Sequence, residues 1–143
     1  KSSLVFVEGI TDYNYLVAFR SYLSDKHDFS HLKFLPVQGL FNSKLIKQLA
    51  SIATNPIILV DSDHAGKKFT EDNSHNGAEV IKLDDKFEKV IEDLFSKDDR
   101  EKYCNEKSLA SSVWFKNNLI NKKIKVTKNT VDNFTNLLNR LAV

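Results

Sequence analysis

The sequence lacks the features that mark secreted, membrane-spanning or repetitive proteins. Its single cysteine, Cys104, excludes an internal disulfide and fits a reducing, cytoplasmic setting. It has no run of ~18 apolar residues and no signal peptide, so we expect no membrane-spanning segment. It also has no internal repeat and no low-complexity linker. The chain begins with lysine and contains no methionine, from which we expect a domain excised from a longer protein.

The net charge of +2 is small, but the charges are unevenly distributed along the chain. Residues 1–100 hold 13 Lys and Arg against 16 Asp and Glu, whereas residues 101–143 hold 8 against 3. An acidic body with a basic tail suits a metal site beside a surface that binds a polyanion. The same distribution also suits a protein whose charges serve only solubility.

The order of apolar segments predicts an α/β fold. Short apolar runs predict strands at 3–9, 31–37, 56–63 and 78–84, and helical spacing predicts helices at 12–25, 39–53, 86–104, 108–120 and 129–143. The alternation of strands and helices predicts a mostly parallel four-stranded sheet flanked by helices, followed by a C-terminal helical extension. Trp114, Phe115 and Phe134 fall among apolar residues at helical spacing, so we expect all three in the core.

Two of the predicted strands end in carboxylates. Glu8 follows the first strand, Asp12 lies four residues further on, and Asp61 and Asp63 follow the third strand. Ligands of open parallel sheets bind beyond the carboxyl ends of the strands. If the first and third strands are neighbours, these four side chains converge on one small area of the surface.

A cluster of carboxylates is costly unless a cation compensates the repulsion, because each like charge raises the pKa of its neighbour. An all-oxygen set with no nearby cysteine or histidine cluster suits Mg²⁺ or Mn²⁺ better than Zn²⁺. Each acid also has a simpler interpretation. The pair Asp61 and Asp63 can be loop acids, and Asp12 can be a favourable charge at a helix N-terminus.

The residues resemble a known family. The stretch "LVFVEGITDYNYL" (residues 4–16), followed by "IILVDSDHAGK" (residues 57–67), resembles a TOPRIM domain, the metal-binding module of topoisomerases, primases and certain nucleases. Asp12 and "VIEDLF" (residues 90–95) resemble more specifically the OLD-family (overcoming lysogenization defect) nucleases, in which a TOPRIM domain follows an ABC-type ATPase. The resemblance implies a Rossmann-like TOPRIM core over residues 1–95 and a helical extension over residues 96–143 packed on that core.

The resemblance also implies a two-metal nuclease site. Glu8, Asp61 and Asp63 match the acids of the TOPRIM motifs, and Glu92 matches a further acid that helps to hold a second metal, with Asp93 as its substitute. A downstream lysine completes the site in that family; Lys107 is the match, with Lys102, Lys122 and Lys123 as competitors. Glu8, Asp61 and Lys107 are then the expected catalytic residues. Two Mg²⁺ or Mn²⁺ ions ~4 Å apart would activate water and stabilise the leaving oxygen of a phosphodiester.

The expected substrate is DNA. Lys67, Lys68, Lys122 and Lys123 can contact its backbone, in a way that depends on salt and not on base sequence. The resemblance implies the ATPase domain of the same parent chain as a partner, and a homodimer of the full-length protein is compatible with it. Three other functions stay open: a non-catalytic metal-binding or nucleic-acid-binding TOPRIM module, a primase or topoisomerase, and a phosphohydrolase with an aspartate nucleophile.

Overall fold

Four strands form one parallel sheet in the computed structural model, which describes residues 2–38, 43–53, 55–62, 77–106 and 108–143. The strands are β1 (Ser3–Val7), β2 (Leu32–Pro36), β3 (Ile57–Val60) and β4 (Glu79–Lys82). Their order across the sheet is β2-β1-β3-β4, and all three pairings are parallel. The predicted α/β class and the parallel four-stranded sheet are therefore confirmed.

The helices of the described residues are α1 (Ile10–Tyr22), α2 (Ser43–Ile52), α3 (Lys97–Tyr103), α4 (Leu109–Ile120) and α5 (Lys128–Ala142), with a 3₁₀ turn at Ile91–Leu94. The single helix predicted over 86–104 is wrong. Phe95 is extended, and the hydroxyl of Ser96 starts a new helix by accepting a hydrogen bond from the Asp99 N–H. None of the helices in these ranges is both long and apolar enough to cross a membrane.

The connections reverse direction between β1 and β3. From β1 the chain passes through α1 to β2 on one side of the sheet. It then returns through α2, past β1, to form β3 on the other side. Such a reversal leaves a crevice beyond the carboxyl ends of the two neighbouring strands, and open α/β sheets bind ligands there. Glu8 follows β1 and Asp61 follows β3, so both acids lie at this reversal point.

Both faces of the sheet are covered, which explains why all four residues of β3 are buried. Val5, Val7 and Leu59 belong to the larger core, on the face covered by α1, α4 and α5. Phe6, Ile58 and Val60 alternate with these residues and belong to a smaller cluster that includes Leu49 of α2.

An aromatic cluster attaches the C-terminal helices to α1. The rings of Phe19 in α1 and Phe134 in α5 stack with centroids 3.8 Å apart, and Phe95 and Phe115 pack against the same ring. Phe115 and Phe134 are fully buried, as predicted, but Trp114 is 52% exposed and that part of the prediction is wrong. Trp114 precedes the buried Phe115 by one position, so it points away from α1 and lies beside the ring of Tyr103. The domain boundary at residue 95 stays a prediction.

Candidate functional site

The segment between β1 and α1 folds Asp12 back over the end of the strand. Gly9 is the N-cap of α1, and its backbone N–H donates a hydrogen bond to the Asp12 carboxylate. A Cβ atom built on Gly9 would lie 3.3 Å from Asp12 Oδ2, tighter than most side-chain contacts. Glycine at this position therefore leaves room for the carboxylate. Glu8, one residue earlier, is exposed.

Asp12 carries the most informative electrostatic feature of the site. Burial raises its pKa to about 6, and the negative charges of Glu92 and, less strongly, Glu8 act in the same direction. The hydrogen bond from Gly9 acts in the opposite direction and does not compensate them. At neutral pH this carboxylate is therefore ionised against the preference of its surroundings, which is the condition that a bound cation would relieve.

Glu92 reaches the same region from a distant part of the chain. It lies in the 3₁₀ turn after β4 and is only 8% exposed. Within the described part of the chain, no hydrogen bond to its carboxylate is seen. Its charge reaches beyond Asp12, because it contributes to raising the pKa of Tyr15 in α1 and of Cys104, whose thiol is hydrogen-bonded to the Tyr15 hydroxyl.

Asp93, the substitute for Glu92 in the sequence interpretation, has a structural role. Its Oδ2 accepts a hydrogen bond of 2.9 Å from the Val90 N–H, and its Oδ1 pairs with the guanidinium of Arg100. These contacts fix the 3₁₀ turn to α3. Both oxygens of Asp93 are therefore engaged, whereas Glu92 is the acid of this pair that faces Asp12.

Asp61 meets Asp12 in a narrow cleft at the carboxyl edge of the sheet. Val7, Leu59, Leu83 and Ile91 form its apolar walls, and Asp12 and Asp61 supply its carboxylates. The residue after Asp61, the fully buried Ser62, fixes this strand end. Its N–H donates to the Lys89 carbonyl at 2.8 Å, and its hydroxyl accepts from the Asp84 N–H at 2.6 Å.

Four of the predicted site residues, Asp63, Lys67, Lys68 and Lys107, lie outside the described residues. The structure brings together Glu8, Asp12 and Glu92 electrostatically, and Asp12 and Asp61 in the cleft. The expected convergence of Glu8, Asp12, Asp61 and Asp63 on one small area stays a prediction, because Asp63 lies outside the described residues.

Lys122 and Lys123 lie at the other end of α1. Asn14 in the first half of α1 donates to Ser112 in α4, and Lys122 after α4 pairs with Asp25 after α1 at 3.1 Å. The two helices therefore run side by side in the same direction. Because α1 has 13 residues and a helix rises 1.5 Å per residue, roughly 20 Å separates this end from the acids. Contact of these lysines with DNA stays a prediction.

The sequence interpretation missed two cations at the acidic edge. Arg140 of α5 donates to the carbonyls of Leu83 and Lys82 at the end of β4. Lys89 ends a turn whose first residue, Asp84, accepts hydrogen bonds from the N–H groups of Lys86 and Phe87. The sequence signal for this turn was the aspartate that starts "DDKF", because aspartate favours such local hydrogen bonds.

The donor chemistry of the site fits a hard divalent cation. Its side chains offer carboxylate oxygens only, as Mg²⁺ and Mn²⁺ prefer, and Asp12 is held in an electrostatically unfavourable state that a cation would relieve. Among the residues that the structure describes, no three His, Cys, Asp or Glu side chains are grouped closely enough to hold one metal ion. Asp63 lies outside the described residues, so this statement does not include it.

Comparisons of this chain with known proteins complete the description of the site. No family model matches the chain, and neither a curated protein nor a solved structure matches it significantly.

Proposed function

We propose that this chain is a TOPRIM-type nuclease domain that cleaves phosphodiester bonds of DNA with Mg²⁺ or Mn²⁺, most similar to the nuclease domain of the OLD family. The proposal combines the sequence motifs around Glu8 and Asp61 with their position at the ends of neighbouring parallel strands. The observation that carries it is the cleft that Asp12 and Asp61 share, in the crevice where such sheets bind ligands. Burial and the charges of Glu92 and Glu8, which raise the pKa of Asp12, agree with it.

Each residue has a specific role in this proposal. Glu8 and Asp12 would ligate one divalent ion with support from Glu92, and Asp61 and Asp63 would hold the other. Because Glu8, Asp12 and Glu92 are not grouped closely enough in this structure to hold one ion, their side chains would have to move towards it on binding. When bound, the ions supply an activated water and stabilisation of the leaving oxygen. Lys107 would balance the charge that builds on the phosphate. Ser62 positions Asp61 through its buried hydrogen bonds.

The partners follow from the same proposal. DNA is the substrate, and an ABC-type ATPase domain of a longer parent chain would control its cleavage in the cytoplasm, with a homodimer as the assembled form. Lys67 and Lys68 follow Asp61 in the chain and would contact the DNA backbone near the acids. Lys122 and Lys123 would contact it about 20 Å away, a distance of roughly six base pairs at 3.4 Å each.

The alternative functions make different use of the same acids. A non-catalytic module that binds no metal gains nothing from Asp12 and Glu92 lying together, because their repulsion destabilises the fold. A metal-binding module without catalysis differs from the nuclease in whether it cleaves DNA. A topoisomerase requires a tyrosine from another domain, and the helical tail matches neither topoisomerases nor primases. A phosphohydrolase that uses aspartate as nucleophile carries its Asp-x-Asp pair after the first strand, whereas here the pair follows β3.

The test is cleavage of supercoiled plasmid by the chain, and by a longer protein that contains it, with Mg²⁺ or Mn²⁺. We expect nicked and linear products that disappear with EDTA. Asp61→Ala and Glu92→Gln should each reduce the rate by at least 100-fold. The matched control is Glu101→Gln, because Glu101 is an exposed acid of α3 near Glu92 in the chain and should leave the rate unchanged.

Three results would contradict this function. Binding of Mn²⁺ without cleavage by the longer protein indicates the binding module. Release of phosphate from small esters indicates the phosphohydrolase. Equal losses of cleavage rate in Glu92→Gln and Glu101→Gln would show that Glu92 is not part of the site.

A further inference from the structure

The turn from Asp84 to Lys89 has a fixed shape although it lies at the surface. The Asp84 carboxylate accepts hydrogen bonds from the N–H groups of Lys86 and Phe87 at 2.8 and 2.9 Å, which lowers its pKa to about 2. It also forms an ion pair of 3.2 Å with Lys89 at the end of the turn. These contacts within the turn partly compensate the negative charge of Asp84. It therefore repels an approaching anion less than an uncompensated carboxylate would.

A cationic groove lies beside this turn. It has a volume of about 200 Å³, and its polar lining consists of Asp84, Lys89, Asn133, Asn136 and Arg140. Two cations and one anion give the lining a net positive charge. The groove is smaller than the ~300 Å³ at which pockets for drug-sized ligands begin. It therefore suits a single phosphate group and not a whole nucleotide.

The groove and the acidic cleft share a wall. Leu83 lines both of them. Ser62, next to Asp61, bonds through its hydroxyl to the Asp84 N–H and through its own N–H to the Lys89 carbonyl. The backbone at Lys89 is therefore held at a constant position relative to the backbone at Asp61. A phosphate in the groove would belong to a nucleotide close to the one at the acids.

Phe87 is the most exposed aromatic side chain of the described residues, at 66%. It lies in the middle of the Asp84–Lys89 turn, between Lys86 and Glu88, and the turn holds two lysines and three acids. An exposed ring beside a groove that holds two cations, Lys89 and Arg140, is a combination with which proteins bind single strands, because unpaired bases stack on aromatic faces while cations contact phosphates. The bases of an intact duplex have their faces covered by their neighbours.

We propose that the Asp84–Lys89 turn and its groove bind an unpaired DNA strand beside the acidic cleft, with a base on Phe87 and a phosphate between Lys89 and Arg140. This inference rests on the proposed DNA-cleaving function of the neighbouring acids and adds a preference for single-stranded or frayed substrate to it.

The test measures the fluorescence anisotropy of a labelled twelve-nucleotide dT strand and of a labelled hairpin duplex, in EDTA so that cleavage does not interfere. Phe87→Ala should weaken binding of the single strand by about 5- to 100-fold, the range for loss of one stacked base, and change duplex binding by less than twofold. Phe87→Trp should retain binding. The control is Ile52→Ala, which removes an apolar side chain that is even more exposed (82%) from α2 on the other face of the sheet.

A second variant tests the phosphate contact. Lys89→Gln should reduce the slope of log affinity against log salt by about 0.7 for the single strand. An unchanged slope, equal effects of Phe87→Ala and Ile52→Ala, or tighter binding of the duplex than of the single strand would each overturn the inference. Plasmid cleavage with normal binding by Phe87→Ala would overturn it while leaving the nuclease proposal intact. Strand binding that depends on Phe87 without any plasmid cleavage would support it and contradict the nuclease.

Discussion

Asp12 and Glu92 come from opposite halves of the chain, and the charge of Glu92 helps burial to raise the pKa of Asp12 to about 6. Asp12 is in the first turn of α1, and Glu92 is in a turn fixed to α3 by the contacts of Asp93. The path of the backbone therefore places these two acids near each other. The predictions below follow from this pair and from the elements that hold it.

Replacing Asp12 should change how stability depends on pH. The pKa of Asp12 is higher in the folded chain than its ordinary value of 3.8, so its protonated form stabilises the fold below about pH 4. That contribution is lost as the pH rises through 6. Asp12→Asn should therefore be more stable than the unmodified chain at pH 7.5 by about 2–3 kcal/mol, and equally stable near pH 4. Urea unfolding in EDTA at several pH values measures the difference.

The control for this measurement is Asp98→Asn, because Asp98 is an exposed acid in the first turn of α3. It should show no gain in stability at pH 7.5. A stability difference between Asp12→Asn and the unmodified chain that stays constant from pH 4 to pH 7.5 would contradict the electrostatic assignment.

Divalent cations should stabilise the folded chain through the same acids. A ligand at 100 times its dissociation constant stabilises a folded protein by about 2.7 kcal/mol, which corresponds to a rise in Tm of roughly 5–10 °C for a chain of this size. We expect Mn²⁺ to produce such a rise at pH 7.5, and Asp12→Asn and Glu92→Gln to lose most of it. Glu101→Gln should retain the full rise. Equal rises in all four proteins would show that Mn²⁺ binds elsewhere.

Gly9→Ala should weaken cation binding without unfolding the chain. The backbone of Gly9 has φ −110°, which alanine adopts without strain, but its new Cβ would lie 3.3 Å from Asp12 Oδ2. The carboxylate must then move by a few tenths of an ångström. We expect an increase of about 3- to 10-fold in the Mn²⁺ dissociation constant measured by calorimetry, with stability in EDTA changed by less than ~1 kcal/mol. Unchanged affinity would indicate that Asp12 does not bind the ion in this position.

Replacing Asp99 should lower the free energy of unfolding without affecting the acids of the candidate site. Its Oδ2 accepts hydrogen bonds from the Thr127 N–H and from the hydroxyls of Thr127 and Thr130, which join α3 to α5. Asp99→Ala leaves the buried Thr130 hydroxyl without this acceptor and removes the hydrogen bonds to the exposed Thr127, which should together cost about 2–4 kcal/mol in urea unfolding. Asp98→Ala, on the exposed side of the same turn, should cost less than ~1 kcal/mol. A cost for Asp99→Ala as small as that for Asp98→Ala would show that the network contributes little.

The contribution of Asp99 to stability changes with pH in the direction opposite to that of Asp12. Burial alone would raise the pKa of Asp99, but the hydrogen bonds from Thr130 and Thr127 outweigh burial and lower it. The stabilisation is therefore complete above the ordinary value of 3.8 and is lost as the pH falls through the lowered pKa. The stability difference between the unmodified chain and Asp99→Ala should shrink only in strong acid.

Cys104 should be unreactive in the folded chain. Burial raises the pKa of its thiol to about 11, and the charge of Glu92 adds to this effect, although the Tyr15 hydroxyl opposes it. Only the thiolate reacts rapidly with disulfide reagents. At pH 8 we expect the native thiol to react with a chromogenic disulfide at least 100 times more slowly than in 8 M urea. Rapid reaction of the native chain would show that Cys104 is accessible.

The fold was predictable where the hydrophobic pattern was unambiguous. Residues 57–60 are a continuous apolar run followed by acids, and the parallel strand buried on both faces agrees with it. The helix predicted over 86–104 failed because its apolar residues at helical spacing hid a break at Phe95, where Ser96 caps a second helix. Local hydrogen bonds determine that the helix breaks at this position, and the spacing of apolar residues does not reveal such bonds.

The site was predictable only in part for a similar reason. Glu8, Asp12 and Asp61 follow strands, so their meeting followed from the order of the elements once β1 and β3 were neighbours. Glu92 was preferred to Asp93 on the family resemblance alone. No spacing in the sequence reveals that Arg100 and the Val90 N–H engage Asp93. Lys89 is placed at the acidic edge because its carbonyl accepts a hydrogen bond from the Ser62 N–H, and Arg140 because its guanidinium donates to the Leu83 carbonyl after β4.

The stacked pair of Phe19 and Phe134 has a consequence for synthesis of the chain on the ribosome. Helix α1, which begins at Ile10, packs the ring of Phe19 against Phe134 of α5, which is translated last among the described elements. A nascent chain that ends before residue 128 lacks one of the rings that pack against Phe19, although Phe95 and Phe115 have already been made. The core face of α1, which carries Asp12 in its first turn, is therefore completed only when the final helix has emerged from the exit tunnel.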